Sequence, residues 1–361
     1  MPNLTQIATQ QERAVLRAFT DSIQAVKDQA VISEIAALIN RGDVEGVVNL
    51  LQLDPATFRP LENAVTAAYE TGGATGAAQI GRIPVEAGTL VARFNVRNPR
   101  AEEWLRNLSS TRIVEIAEET RSVVRNVLTE GIARGQGPRT TALDLVGRID
   151  PVSRKRVGGF IGLTDSQSAW VRNARMDMEL VGATPEQVAA RFAAANRRVP
   201  DGYDPGRSYL SRQLRDRRLD GAFKKAMAEG KPLTSKQVDT AISRMQARTL
   251  RYRAETVART ESINALRSGQ HEAMVQAVEA TDIEPPEVIR TWDATGDART
   301  RPEHLNVSPV RGADTPFLVG GELLRYPGDP AGSAANTIQC RCRENTAIRW
   351  GAVARRMEGF R

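Results

Sequence analysis

The sequence predicts a mostly helical α+β fold. A helical N-terminal region over 1–160 precedes a domain over 161–361, in which long helices pack on a small antiparallel sheet. Three observations predict it. Capping boxes of the form Thr-x-x-Gln stand at Thr164–Gln167, Thr184–Gln187 and Thr234–Gln237, and each is a start signal for a helix. Aromatic residues make up only 5% of the 361 residues while hydrophobic ones make up 41%, so the cores are aliphatic and Ala-rich. After Pro285-Pro286 the helical spacing gives way to short apolar runs punctuated by Gly-Gly, the pattern of strands and a hairpin. The length alone favours two or three domains.

Taken in order, Leu16, Phe19, Ile23 and Val26 recur at three- and four-residue steps, one apolar stripe of a helix. Ile35, Leu38 and Ile39 begin a second helix, broken at Asn40-Arg41-Gly42-Asp43. Residues 55–70 give a third, ending at Gly72-Gly73. From Gly81 to Arg100 the chain carries Pro84, Gly88 and Pro99 around Leu90–Phe94, an extended connection or a lone strand. Helical spacing returns over 101–135 and stops between Gly131 and Gly137. The three capping boxes make 160–280 a helical stretch. In its long run 234–280, Ile242, Met245, Tyr252, Thr256, Ile263 and Leu266 share a buried side, and Arg244, Arg248, Arg251 and Arg259 lie outside it. Then come a strand at Val288–Trp292, a hairpin of Phe317–Val319 and Glu322–Tyr326, and a last strand over Thr337–Ile348.

No run of 18 apolar residues exists, so no transmembrane helix is expected. The first residues lack a basic segment followed by an apolar one, so no signal peptide is expected either. Two cysteines one residue apart do not make a disulfide framework. The simplest reading is a protein that folds in a cytoplasm. The net charge of +7 is uneven: residues 191–260 hold 17 Lys and Arg against 7 Asp and Glu, a net +10. That segment points to a polyanion or an acidic partner, the alternative being a solvated helical face. Arg212, Arg215, Arg217, Arg218, Lys224 and Lys225 are its candidate contacts. Without a helix-turn-helix, zinc-finger or RNP pattern, any contact with double-stranded DNA would run through phosphates and be non-specific.

Chemistry concentrates in the last quarter. Cys340 and Cys342 are the only cysteines and His304 is one of two histidines. On a strand, positions two apart face one way, so the thiols would point together. With His304 they make three ligands, and Asp293 or Asp297 could be a fourth, giving a structural zinc site. The alternative is two small buried apolar side chains. His304 could also be a general base or a hydrogen-bonded structural residue. His271, mid-helix beside Glu272, reads as a surface residue. Asp297, Arg299 and Arg301 suggest a phosphate clamp or, preferably, an ion-pair network fixing the loop, which Arg259 and Glu261 can join from the preceding helix.

Taken together, several residue runs resemble the phage Mu F-like minor head proteins, also called phage head morphogenesis proteins. They are Arg253–Glu261, Trp292-Asp293-Ala294, Asp297–His304, Phe317, Tyr326-Pro327-Gly328-Asp329 and Cys340-Arg341-Cys342, with Gly162-Leu163-Thr164 and Gln167 upstream. The resemblance covers roughly 160–350; the first 160 residues match only in being helical. It implies a non-enzymatic virion protein present in few copies, inside the head near the portal after assembly in the host cytoplasm. It implies roles in capsid assembly, DNA packaging or genome ejection. Its partners would be the portal protein, the major capsid or scaffolding protein, and DNA, with 1–160 a candidate for portal or capsid contact. The signature network would be Arg259, Glu261, Trp292, Asp297, Arg299 and Arg301. The competing expectations are a metal-dependent hydrolase or nuclease built on His304, Cys340, Cys342 and Asp297, and a non-specific DNA-binding virion protein.

Overall fold

The structure is a computed structural model that describes residues 4–85, 88–281, 283–284 and 287–359. Pro285-Pro286 lies outside the described residues. The fold class is the expected one: mostly helical α+β with small antiparallel sheets. No helix among the described residues is long and apolar enough to cross a membrane.

Helix α1 (Leu4–Gln29) buries Phe19, Ile23 and Val26 of the expected stripe, but Val15 takes the buried place expected of Leu16, which is half-buried. Helix α2 (Ile32–Asn40) stops at a turn where Gly42 takes φ 72°, a conformation glycine adopts without steric cost. The short α3 (Val44–Leu50) was not expected; Asp43 caps it by accepting the Gly46 N–H at 2.8 Å. Helix α4 (Arg59–Ile80) runs straight through Gly72-Gly73, where the sequence suggested a stop. Its glycines have another purpose. A Cβ on Gly72 would sit 2.0 Å from the Leu266 carbonyl oxygen, and one on Gly269 would sit 2.1 Å from that of Tyr69. Two helix backbones touch there, and only glycine leaves room.

The expected lone strand has a partner: β1 (Arg82–Val85) and β2 (Gly88–Val91) form an antiparallel hairpin. The helix expected over 101–135 is two, α5 (Pro99–Asn107) and α6 (Val114–Ala133), joined by a π-helical turn at Leu108–Ile113. After α7 (Pro138–Val146), the short strands β3 (Arg148–Ile149) and β4 (Arg156–Val157) pair. Helices α8 (Asp165–Glu179), α9 (Pro185–Ala194), α10 (Pro205–Ser211) and α11 (Asp220–Ala228) lead to the 45-residue α12 (Ser235–Glu279). All three capping boxes form. Gln167, Gln187 and Gln237 each donate a backbone N–H to the cap threonine hydroxyl and return a side-chain oxygen to its N–H.

In α12, Ile242, Met245 and Leu266 are buried as expected, but Tyr252 is exposed. The remaining elements are β5 (Val288–Asp293), α13 (Pro302–Leu305), β6 (Val310–Arg311), β7 (Phe317–Val319), β8 (Glu322–Leu324), α14 (Ala334–Thr337), β9 (Arg343–Ile348) and α15 (Trp350–Gly359). Strand β5 is the centre of an antiparallel sheet ordered β6-β5-β9, and β7 and β8 make the expected hairpin around Gly320-Gly321. The last strand is only half as long as expected. Residues 334–337 are helical, Gln339 takes φ 54°, and neither cysteine lies on a strand.

The chain forms two compact units that interleave along the sequence. Unit 1 holds residues through Thr20, Phe58–Ile113 and everything from Ala254; unit 2 holds Asp21–Thr57 and Val114–Arg253. The expected division at 160/161 falls inside unit 2. In unit 1, Ala273, Met274 and Ala277 of α12 pack with Ala77, Ile83, Val288 and Val353 in one core, and Trp292, Phe317, Val319, Leu324 and both cysteines form a second. Burial of the Ile, Val, Leu, Met and Phe side chains among them stabilises by roughly 1.5–3 kcal/mol each. In unit 2, the buried Arg253 spans from the Gly162 carbonyl at 2.9 Å to Glu119 at 2.6 Å.

Candidate metal centre

Three of the four expected ligands come together in unit 1. His304 sits in the short α13, started by Pro302 at its first position. The cysteines lie in the irregular segment between α14 and β9. His304 Nδ1 is 3.3 Å from Cys342 Sγ and 3.8 Å from Cys340 Sγ, and the three donor atoms lie within 4.8 Å of one another. All three residues are buried, at 1% exposure for the histidine and 3% for each cysteine. This cluster could hold a metal ion. The fourth expected ligand does not join it. Asp297 is held by Arg341 through two contacts of 2.6 Å and lies 3.6 Å from Arg299. Those bonds, Arg341 first, hold its carboxyl well below the usual range. Asp293 is exposed at the end of β5.

The surroundings orient the donors. His304 Nε2 lies 3.1 Å from the Asn336 side-chain oxygen. An amide oxygen can only accept, so the ring proton sits on Nε2 and the Nδ1 lone pair faces the sulfurs. Ligating histidines are fixed in this way by a partner on the far nitrogen. The Asn336 amide group in turn donates to the Val319 carbonyl at 3.5 Å. Burial works against a charged His304 ring, but the Cys340 and Asn336 contacts prevail and raise its pKa. The bond between the two thiols pushes Cys340 down and Cys342 up. Trp292 stands edge-on to His304 at 5.3 Å.

A further residue, Arg267 of α12, was not anticipated. It is buried, and its guanidinium donates to the Cys340 carbonyl at 3.1 Å. Burial lowers its pKa, opposed chiefly by the two thiols. No carboxylate pairs with it among the described residues. Nothing in its sequence neighbourhood marks it, because its role depends on a loop more than 70 residues away. Asn336 is equally silent in the sequence.

The expected network around Asp297 exists in part. Arg301 donates to the Ile338 carbonyl at 2.7 Å. Arg259 instead pairs with Glu12 of α1 at 3.0 Å. Besides Arg267, Thr256 and Thr260 tie α12 to the cysteine loop, accepting from the Gln339 side chain at 3.0 Å and its N–H at 3.2 Å.

His271 is buried, not on the surface. Its Nδ1 is 3.4 Å from Glu344, its Nε2 is 3.8 Å from Asp314, and Arg290 lies 3.5 Å away. Burial alone would lower the ring's pKa, but Glu344 and Asp314 raise it. Burial would likewise raise Glu344, but His271 and Arg290 hold it at about 2. Beside this network a cavity of about 280 Å³ is lined by Tyr69, Trp104, Arg100, His271, Arg325 and Tyr326.

In unit 2 the basic candidates divide. Arg212 is taken up by the buried Asp177 at 2.6 Å, and Arg215 by Asp220 at 2.9 Å. Arg217, Arg218, Lys224 and Lys225 remain exposed, although Arg218 also touches Asp216 at 3.1 Å. Asp216 is wholly buried and gathers Arg244 and Arg248 as well, at 2.8 and 3.0 Å. No protein-family model, curated protein or solved structure matches this chain.

Proposed function

We propose that the chain is a structural and assembly protein, a minor head protein of a tailed bacteriophage or phage-like particle. It acts at the portal vertex, inside the head, in head assembly, DNA packaging or genome ejection. One observation carries this reading. Of the residues that bear the resemblance, Trp292, His304, Tyr326, Asp329, Cys340 and Cys342 are buried, while Asp293, Asp297 and Arg299 are exposed. Tyr326 bonds to Ser268 at 2.9 Å and Asp329 to Arg325 at 3.0 Å. Side chains that hold a domain together suit an assembly part, whereas a catalyst presents its groups to a substrate. The portal protein is the proposed partner, with the major capsid or scaffolding protein next.

The His304–Cys340–Cys342 cluster is proposed as a closed structural metal centre of this domain. Zinc, the ion the sequence suggests, normally takes four ligands. Metal content of protein purified under reducing conditions tests the centre: less than about a tenth of an equivalent of any soft metal refutes a tight site. The assembly role is tested by affinity isolation from infected or induced cells. Recovery with a ring-shaped portal supports it, and protein that never associates with heads or portal refutes it.

A second reading, favoured by the exposed Arg217, Arg218, Lys224 and Lys225, is non-specific contact with duplex DNA. It requires binding that weakens steeply with salt. Binding that is absent from a gel shift or indifferent to salt removes it.

A further inference from the structure

We infer that the His304–Cys340–Cys342 centre takes a monovalent soft ion of the copper(I) type rather than zinc. The inference rests on the reading of the triad as a metal centre. Two independent observations carry it.

The first is the donor count. Two sulfurs and one imidazole nitrogen converge within 4.8 Å, and no further His, Cys, Asp or Glu of the described residues joins them. Asp297 is engaged by Arg341, and the Asn336 oxygen is engaged by His304 Nε2. Structural zinc sites are almost always tetrahedral and closed by four protein ligands. Thiolate-rich sites favour copper(I) on the ground of softness, and a d¹⁰ monovalent ion is content with three donors. Burial at 1–3% exposure leaves little access for a water to complete a zinc shell.

The second is charge. On binding, each thiol gives its proton to solvent and the ion keeps its oxidation state, so no electron moves. Two thiolates bring two negative charges and the neutral imidazole none. A divalent ion then makes a neutral centre and leaves the Arg267 guanidinium uncompensated. Arg267 is buried, has no carboxylate partner among the described residues, and meets the centre through the Cys340 carbonyl at 3.1 Å. Arg301 and Arg343 add positive potential to His304 and to Arg267 respectively, and Arg341 is already matched by Asp297. A monovalent ion leaves the centre with one negative charge, which Arg267 balances. Unmatched buried charge is costly, so the protein part of the site discriminates between the two valences.

The test uses the reduced full-length chain under anaerobic conditions. It is titrated separately with copper(I) and with zinc(II), each against a chelator of known affinity, for the wild type, R267Q and R267K. The expected result is one copper per chain with an X-ray absorption spectrum of two sulfurs and one nitrogen. R267Q should weaken copper(I) by about tenfold or more while zinc binds equally or more tightly, and R267K should retain the wild-type preference. Zinc retained by the wild type against EDTA overturns the inference and keeps the metal centre. So does R267Q changing both ions equally. Failure of both ions to bind removes the metal centre itself. If R267Q does not fold, the wild type decides. A copper site lacking nitrogen, or zinc held against EDTA, overturns the inference; two sulfurs and one nitrogen, with zinc lost to EDTA, uphold it.

Discussion

Lys27 tests how the interior of unit 2 treats a charge without a carboxylate partner. The side chain is 2% exposed, and its amine donates to the Gly158 carbonyl at 2.8 Å. Burial lowers its pKa from 10.5 to about 8, only partly opposed by Asp28. The folded protein therefore releases this proton before the unfolded chain does. Between about pH 8 and 10.5 the unfolded state binds more protons, so stability rises with pH there. Each pH unit of that interval is worth about 1.4 kcal/mol, giving about 3 kcal/mol in all. Lys27→Met keeps the apolar stem and removes the titration, but strips the Gly158 oxygen of its donor at about 1–3 kcal/mol. Near neutral pH the lost hydrogen bond and the relieved burial of charge offset each other. As pH rises past about 10, the wild type should gain about 3 kcal/mol on the variant. Urea denaturation of both proteins in reductant, at neutral pH and at two alkaline values, measures the difference. A difference that stays constant across that range would refute the reasoning.

Three further outcomes are expected. Asp216 is wholly buried among Arg218, Arg244 and Arg248; burial would raise its carboxyl, but the arginine bonds hold it well below the usual range. Its contribution is therefore present above the ordinary carboxylate pKa and lost as pH falls, so D216N should cost on the order of 3 kcal/mol at neutral pH and flatten acid denaturation. An acid limb equal to the wild type's argues against the hub. Gly72→Ala drives a methyl to 2.0 Å from the Leu266 oxygen and should cost on the order of 3 kcal/mol in thermal melts, while Gly221→Ala, with open space around it, should be neutral or slightly stabilising. Equal melts for the two would discard the close-contact reading. Asn336→Leu removes the acceptor that fixes the His304 ring and should weaken metal binding about 10–100-fold; unchanged affinity by chelator competition would show that the ring needs no such partner.

Local signals proved the most legible part of the sequence. The three capping boxes are formed by neighbours three residues apart, so their chemistry is written in one short stretch. The β7–β8 hairpin is likewise local, fixed by Gly320 and Gly321 at φ 56° and 85°. What depended on distant partners was lost. Gly72-Gly73 looks like a helix stop until Leu266 is placed against it. His271 looks solvated until Glu344, Asp314 and Arg290 surround it. The sequence suggests that the thiols converge by strand alternation, whereas they converge through an irregular segment with Gln339 in the left-handed region. The fourth ligand was misjudged because Asp297 finds Arg341, the residue between the two cysteines, before it can find a metal.

Buried cations decide between the two readings of the cysteine loop. Two of them have a carboxylate at hand: Arg253 has Glu119, and Arg290 has Glu344. Lys27 and Arg267 do not, among the described residues. Lys27 can respond by giving up its proton near pH 8. A guanidinium cannot, since it stays protonated throughout the accessible range. Arg267 must therefore draw its negative charge from whatever lies against it, and that is the Cys340–Cys342 loop. Two inert apolar thiols would leave it stranded at a cost of several kcal/mol. Sulfur that carries net negative charge, as in a monovalent metal thiolate, would not. The arginine on α12 is thus an argument for the proposed metal centre that does not depend on the histidine facing the thiols.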